Sequence, residues 1–130
     1  MIKVIKAFLD STPGLEQRLS TKDGALNTCK YVSYELYKYL TKQGMQAKIF
    51  HIQNPIAINS EAHTFWLEKP IAEWTHYIIV VDNIAIDLTS RQFNQYNPII
   101  NITPIESYYL QWKTVEYDDF VTGVAKIFKG

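Results

Sequence analysis

The sequence predicts an α+β fold in one domain, and three features predict it. Residues 29–40 place Cys29, Val32, Ser33, Leu36 and Leu40 on one face of a helix. Residues 76–81 and 84–88 are two β-rich runs around Asp82-Asn83, a two-residue hairpin signal. Helix-type patterns stand at both ends of the chain, around a mainly antiparallel sheet.

In chain order, Ile2, Ile5, Phe8 and Leu9 recur at helical spacing, and Ser11-Thr12-Pro13-Gly14 ends that element. Residues 21–27, which contain Asp23-Gly24, read as a loop. Asn27 or Thr28 can then N-cap the cysteine helix, with a side-chain oxygen accepting an unpaired N–H, and Gly44 can close it as C′. This puts Cys29 in the first turn, on the buried face. Residues 46–52 (Ala47, Ile49, Phe50, Ile52) read as a strand, and Asn54-Pro55 as the loop after it. Residues 63–67 read as another short strand, ending near Pro70. Thr103-Pro104-Ile105-Glu106 has the pattern of a capping box with proline at N1, opening a short helix through about Trp112. Asp118 can cap a final amphipathic helix with Phe120, Val121, Val124, Ile127 and Phe128 on its apolar stripe.

Composition narrows the class of partner. The 130 residues, 47% hydrophobic and 20% charged, suit one compact unit over 1–130, without repeat or linker. Thirteen Lys and Arg balance thirteen Asp and Glu, so charge makes no case for nucleic acid or an anionic membrane. No apolar run approaches the roughly 18 residues needed to span a bilayer. The N-terminus mixes Lys3 and Lys6 into its apolar residues and makes a poor signal peptide. Cys29 is the only cysteine, so no internal disulfide can form. The expected location is the cytoplasm, or export as an effector by a route that uses no signal peptide.

The hairpin brings chemistry together. If Asp82-Asn83 is the whole turn, Val81 pairs with Ile84, Ile79 with Ile86 and Ile78 with Asp87. Tyr77, Ile79, Val81, Ile84, Ile86 and Leu88 then share one face, and His76, Ile78, Val80, Ala85, Asp87 and Thr89 share the other. His76 lies diagonal to Asp87, about 7–8 Å apart along the backbone, a gap that long side chains bridge. If the Cys29 helix packs on the His76 face, its first turn brings thiol to imidazole. A thiol at a helix start beside an imidazolium is acidified. The thiolate can attack an amide carbonyl, with His76 as base and Asp87 orienting the ring. Trp74, just before His76, is placed at the mouth of the site. His63 is an alternative base, and His51 reads as a partly buried strand residue. Cys29, His51, His63 and His76 lack the short paired spacing of a zinc site, so neither metal nor cofactor is expected.

The segment from Asn27 to Gly44, a cysteine opening a glycine-ended helix, resembles the papain-like and transglutaminase-like superfamily. The stretch from His76 through Asp87-Leu88-Thr89-Ser90-Arg91-Gln92-Phe93 is the stronger match. It is similar to the histidine strand, turn and D-x-T-x-x-Q-F strand end of small papain-fold toxin and deamidase-like proteins. The resemblance covers roughly residues 25–93. It implies a papain-like domain whose cysteine helix packs on the sheet, with Cys29 as nucleophile, His76 as general base and Asp87 as third member. It implies a hydrolase or acyl-transferase working on a peptide or glutamine amide of a protein or peptide substrate through a thioester. The alternative is a catalytically inactive papain-like domain serving as a protein-binding or immunity module. Papain-type peptidases carry a glutamine shortly before the cysteine, and the loop before Cys29 has Asp23 and no such glutamine. Backbone N–H groups at the helix start, Asn27 or Gln92 are the candidates for oxyanion or substrate contact.

Overall fold

A computed structural model describes residues 1–119. Four helices come first: α1 (Ile2–Asp10), α2 (Leu15–Leu19), α3 (Lys22–Ala25) and α4 (Cys29–Lys42). They are followed by β1 (Lys48–Pro55), α5 (Thr64–Leu67), β2 (Thr75–Val81), β3 (Ile84–Asp87), β4 (Asn101–Pro104), α6 (Glu106–Gln111) and β5 (Trp112–Tyr117). Among the described residues the strands form one five-stranded sheet in the order β4-β3-β2-β1-β5, every neighbouring pair antiparallel. The α+β class is therefore observed.

The hairpin forms in the predicted register, Val81 opposite Ile84 and Ile79 opposite Ile86. Asp82 and Asn83 both take positive φ, 50° and 67°, as a two-residue turn matched to strand twist requires. Each face of the sheet has its own core. On one, Ile5, Phe8 and Leu9 of α1 and Val32, Leu36 and Leu40 of α4 pack on Ile49, Ile79, Val81 and Ile86. On the other, Ile52, Ile78, Val80 and Ala85 pack under Trp66, Trp74, Phe93, Tyr108 and Trp112. The chain from β4 to β5 crosses this second face, which is how α6 comes to cover it.

Several local expectations are corrected. Residues 22–25 are helical because Thr21 caps them, its Oγ1 accepting from the Gly24 N–H at 3.0 Å. Gly24 also lies against the Arg18 carbonyl oxygen, which a Cβ would meet at 1.9 Å. Residues 64–67 form a helical turn, since His63 Nδ1 accepts from the Phe65 N–H at 2.9 Å; a four-residue apolar run does not separate helix from strand by period. The strand at residue 48 runs on through Asn54 to Pro55 because β5 pairs beside it, Pro55 opposite Trp112. Thr103-Pro104 belongs to edge strand β4, Pro104 opposite Ile84, so the capping box does not form and α6 begins uncapped at Glu106. Gly44 closes α4 as expected, with φ of 82°. The final helix expected from Asp118 over Phe120 to Phe128 lies outside the described residues.

The turn offers a stability test. Asn83→Gly is expected to leave the unfolding free energy unchanged or raise it. Asn83→Val, forcing a β-branched residue to positive φ, is expected to lower it by about 1–3 kcal/mol in a denaturant titration.

Candidate active site

His76 and Asp87 are adjacent on the sheet face that the hairpin parity assigns them. His76 Nε2 lies 2.7 Å from Asp87 Oδ2, with the two residues only 1% and 3% exposed. Asp87 is an acceptor in each of its contacts. Oδ2 also accepts from the Tyr108 hydroxyl at 3.3 Å, and Oδ1 accepts from the Thr89 N–H at 3.0 Å and the Thr89 hydroxyl at 3.4 Å. A carboxylate so held directs one oxygen at the imidazole, puts the ring proton on Nε2, and leaves Nδ1 as the basic nitrogen. Phe93 stands edge-on to the ring at 4.8 Å between centroids, and Trp112 stacks at 6.3 Å.

Cys29 reaches this pair by a route the sequence did not reveal. α4 packs on the face opposite His76, through Val32, Leu36 and Leu40. The β2–β3 register covers Ile79 to Val81, and the chain leaves the sheet after Asp87, so the start of β2 extends past its pairing with β3. The N-terminus of α4 enters there. Ser33 Oγ donates to the Tyr77 carbonyl at 3.3 Å, and Cys29, one turn earlier in the helix, is near enough to the His76 ring and the Tyr77 main chain for both to favour its thiolate. The thiol thus meets the imidazole past the end of β3, and the condition that α4 share the His76 face is not required.

Thr28 is the N-cap residue of α4, yet its hydroxyl donates to the Ala25 carbonyl at 2.8 Å and caps nothing. The first N–H groups of the helix, which have no intrahelical partner, are left uncapped by any side chain beside the thiol. Asn27 is exposed, in the left-handed region at φ 59°, two residues from the sulfur.

The electrostatics favour an ion pair. Burial opposes the Cys29 thiolate, but the hydrogen bond and charge of His76 outweigh it, so the thiol titrates below its ordinary value. Burial likewise opposes the imidazolium, and the Asp87 charge and hydrogen bond, helped by Cys29, push His76 up to about 10. Burial and the Asp87 charge hold the Tyr108 phenol well above its ordinary value, keeping it a donor.

Two candidates change role. Gln92 is 0% exposed and bonded within the fold, to Trp66, Thr89 and His76, so it touches neither substrate nor oxyanion from this position. Trp74 is also buried, at 2% exposure. It belongs to the inner wall of a cavity of about 780 Å³ that reaches His76 and Asp87, and not to its rim. Cys29 does not line that cavity. The other histidines are engaged elsewhere. His63 holds Asp23 at 2.7 Å and caps α5, and His51 stacks on Tyr77 at 4.5 Å while bonding Thr75. Burial keeps His51 below its ordinary pKa. No group of three or more His, Cys, Asp or Glu side chains among the described residues is placed to hold a metal ion. None of the described helices is long and apolar enough to cross a membrane.

Tyr108 carries no signal in the sequence for its role, because its place as an Asp87 donor depends on the crossover from β4. The pair also predicts a pH dependence of stability. Because the folded His76 value lies above the ordinary 6.5, its contribution is complete below about pH 6.5 and is lost as pH rises toward about 10. Cys29→Ala removes the opposing thiol titration. In that variant the thermal midpoint is expected to fall steadily from pH 6.5 to about 9, with the fall absent when His76→Gln is added. A flat midpoint in the single variant overturns the assignment. Comparison with protein-family models, curated proteins and solved structures finds no match in any of the three.

Proposed function

We propose that this protein is a papain-like cysteine hydrolase or acyl-transferase, with Cys29 as nucleophile, His76 as acid and base, and Asp87 as orienting carboxylate. Its support is the 2.7 Å contact of His76 with Asp87 together with the mutual influence of Cys29 and His76 on each other's titration, the three residues coming in that chain order from a helix start and two strands. The Cys29 thiolate attacks an amide carbonyl carbon, and the carbonyl electron pair moves to oxygen, where uncapped N–H groups at the start of α4 are suited to receive it. As the C–N bond breaks, its electron pair stays with nitrogen, and His76 Nδ1 delivers the proton that completes the leaving amine. A thioester on Cys29 remains. Water or an incoming amine then gives His76 a proton and attacks the thioester, restoring the thiolate.

A peptide bond and a glutamine side chain are both substrates of this chemistry, and they differ only in what leaves and what accepts. The absence of a glutamine in the loop before Cys29 favours the broad designation, cysteine-dependent amide hydrolase, over peptidase in the narrow sense.

The test is the pH dependence of Cys29 alkylation by iodoacetamide. The wild-type thiol is expected to react well below pH 8. At pH 6 the rate is expected to fall about a hundredfold or more in His76→Ala, where the thiol returns to an ordinary titration near 8.5. If both proteins titrate near that ordinary value, the catalytic reading fails and a protein-binding module remains.

A further inference from the structure

Behind the imidazole, on the side of Nδ1, the fold fixes a carboxamide whose orientation is decided by its neighbours. Gln92 Oε1 accepts from Trp66 Nε1 at 3.1 Å. An indole N–H donates and cannot accept, so the amide oxygen must face Trp66. Gln92 Nε2 is thereby aimed at the Thr89 hydroxyl and at His76 Nδ1, each at 3.3 Å. The main chain is anchored as well, with the Gln92 N–H on the Thr89 carbonyl at 3.2 Å and the His63 N–H on the Gln92 carbonyl at 2.8 Å. Turning the amide over would set N–H against the indole N–H in a site with no exposure.

We propose that Gln92 is a positioning residue for His76, its Trp66-locked amide holding the ring in plane and opposing a proton on Nδ1. This inference rests on Cys29 and His76 being the thiol and acid–base pair. The groups facing the imidazole then divide. Cys29 from α4 and Asp87 from β3 favour the imidazolium, the latter with its oxygen also held by Tyr108 of α6. His51 of β1 acts on His76 only through space. Gln92, between β3 and β4, opposes the charged form because its N–H meets the Nδ1 proton donor to donor. The opposition matters at one step. When the thiolate becomes a thioester, the sulfur stops stabilising the imidazolium while Gln92 remains in place. The Nδ1 proton then moves to the departing amine nitrogen as the C–N electron pair settles there. Gln92 therefore makes His76 a readier acid after acylation than the Asp87 pair alone would allow.

The test is the titration of the His76 ring by nitrogen and carbon NMR, tractable in a chain with three histidines. Gln92→Leu removes the donor, and the His76 midpoint is expected to move up by about half to one unit. Gln92→Glu replaces the donor with an acceptor that still serves Trp66 and is expected to move it further. Trp66→Phe frees the amide to turn and is expected to move it in the same direction with Gln92 intact. Loss of folding in any one variant leaves the other two to decide. A purely structural glutamine lowers the unfolding midpoint and leaves the His76 titration in place, and that result overturns the proposal. Iodoacetamide profiles of the same proteins separate the two failures: ordinary reactivity of the wild-type thiol removes the hydrolase assignment, whereas an activated wild-type thiol with unmoved His76 titrations removes the role of Gln92 alone.

Discussion

The 2.7 Å contact between His76 and Asp87 is the constraint around which the rest of the molecule is arranged. Two ionisable groups with almost no exposure are costly to hold in an apolar interior unless every lone pair and proton finds a partner. The fold answers with Thr89 and Tyr108 on the carboxylate, and sets the Gln92 amide beside the ring's Nδ1. No buried side-chain polar atom among the described residues is left without a partner. The suppliers come from two parts of the chain, the turn after β3 and the crossover helix α6. Thr89 follows β3 directly, Gln92 ends the next turn, and Tyr108 arrives on the crossover helix α6. A carboxylate held at once by His76, Thr89 and Tyr108 is fixed more firmly than one bond would fix it, because shifting it breaks several bonds together.

The aromatic residues follow from the same constraint. Trp66, Trp74, Phe93 and Trp112 form a connected group around the imidazole, with Phe93 within 6 Å of each indole. Their bulk excludes water, which strengthens the attraction between imidazolium and carboxylate. The same exclusion disfavours each charge taken singly, so the pair is stable as a pair and not as its parts. One of these rings has a second use: the Trp66 N–H, which needs an acceptor when buried, finds it in Gln92 and so decides which way that amide faces.

How much of this was legible in the sequence depends on the range of the interaction that decides each feature. The hairpin was legible because both its turn and its alternation are local, and side-chain parity alone put His76 and Asp87 on one face. The cysteine helix and its closure at Gly44 were legible for the same reason. The short helices at residues 22–25 and 64–67 were not, since single side-chain caps, Thr21 and His63, decide them against weak local preference. The Thr103-Pro104-Ile105-Glu106 pattern misled because pairing with β3 recruits Thr103 and Pro104 into an edge strand. Gln92 was visible as a residue of interest but not in its role, which required knowing that Trp66, 26 positions earlier, lies against its amide.

The position of α4 shows why residue types in the right order did not suffice to place the thiol. Parity made it natural to lay the cysteine helix over the face that carries His76. The structure instead puts the apolar side of α4 on the other face, where Val32, Leu36 and Leu40 have Ile79, Val81 and Ile86 to cover. Those strand residues would otherwise be exposed, and the His76 face is already filled by the aromatic group. With α4 packed on the other face, the thiol approaches the imidazole through the place where β3 stops. The break after Asp87 therefore has two consequences. It frees Asp87 and Thr89 to form the carboxylate's local bonds, and it uncovers the Tyr77 main chain for Cys29 and Ser33. A β3 longer by two residues would pair with the start of β2, closing the gap that the thiol uses and taking Thr89 out of the turn from which it bonds Asp87. The length of that one strand decides whether a buried polar pair becomes a candidate active site.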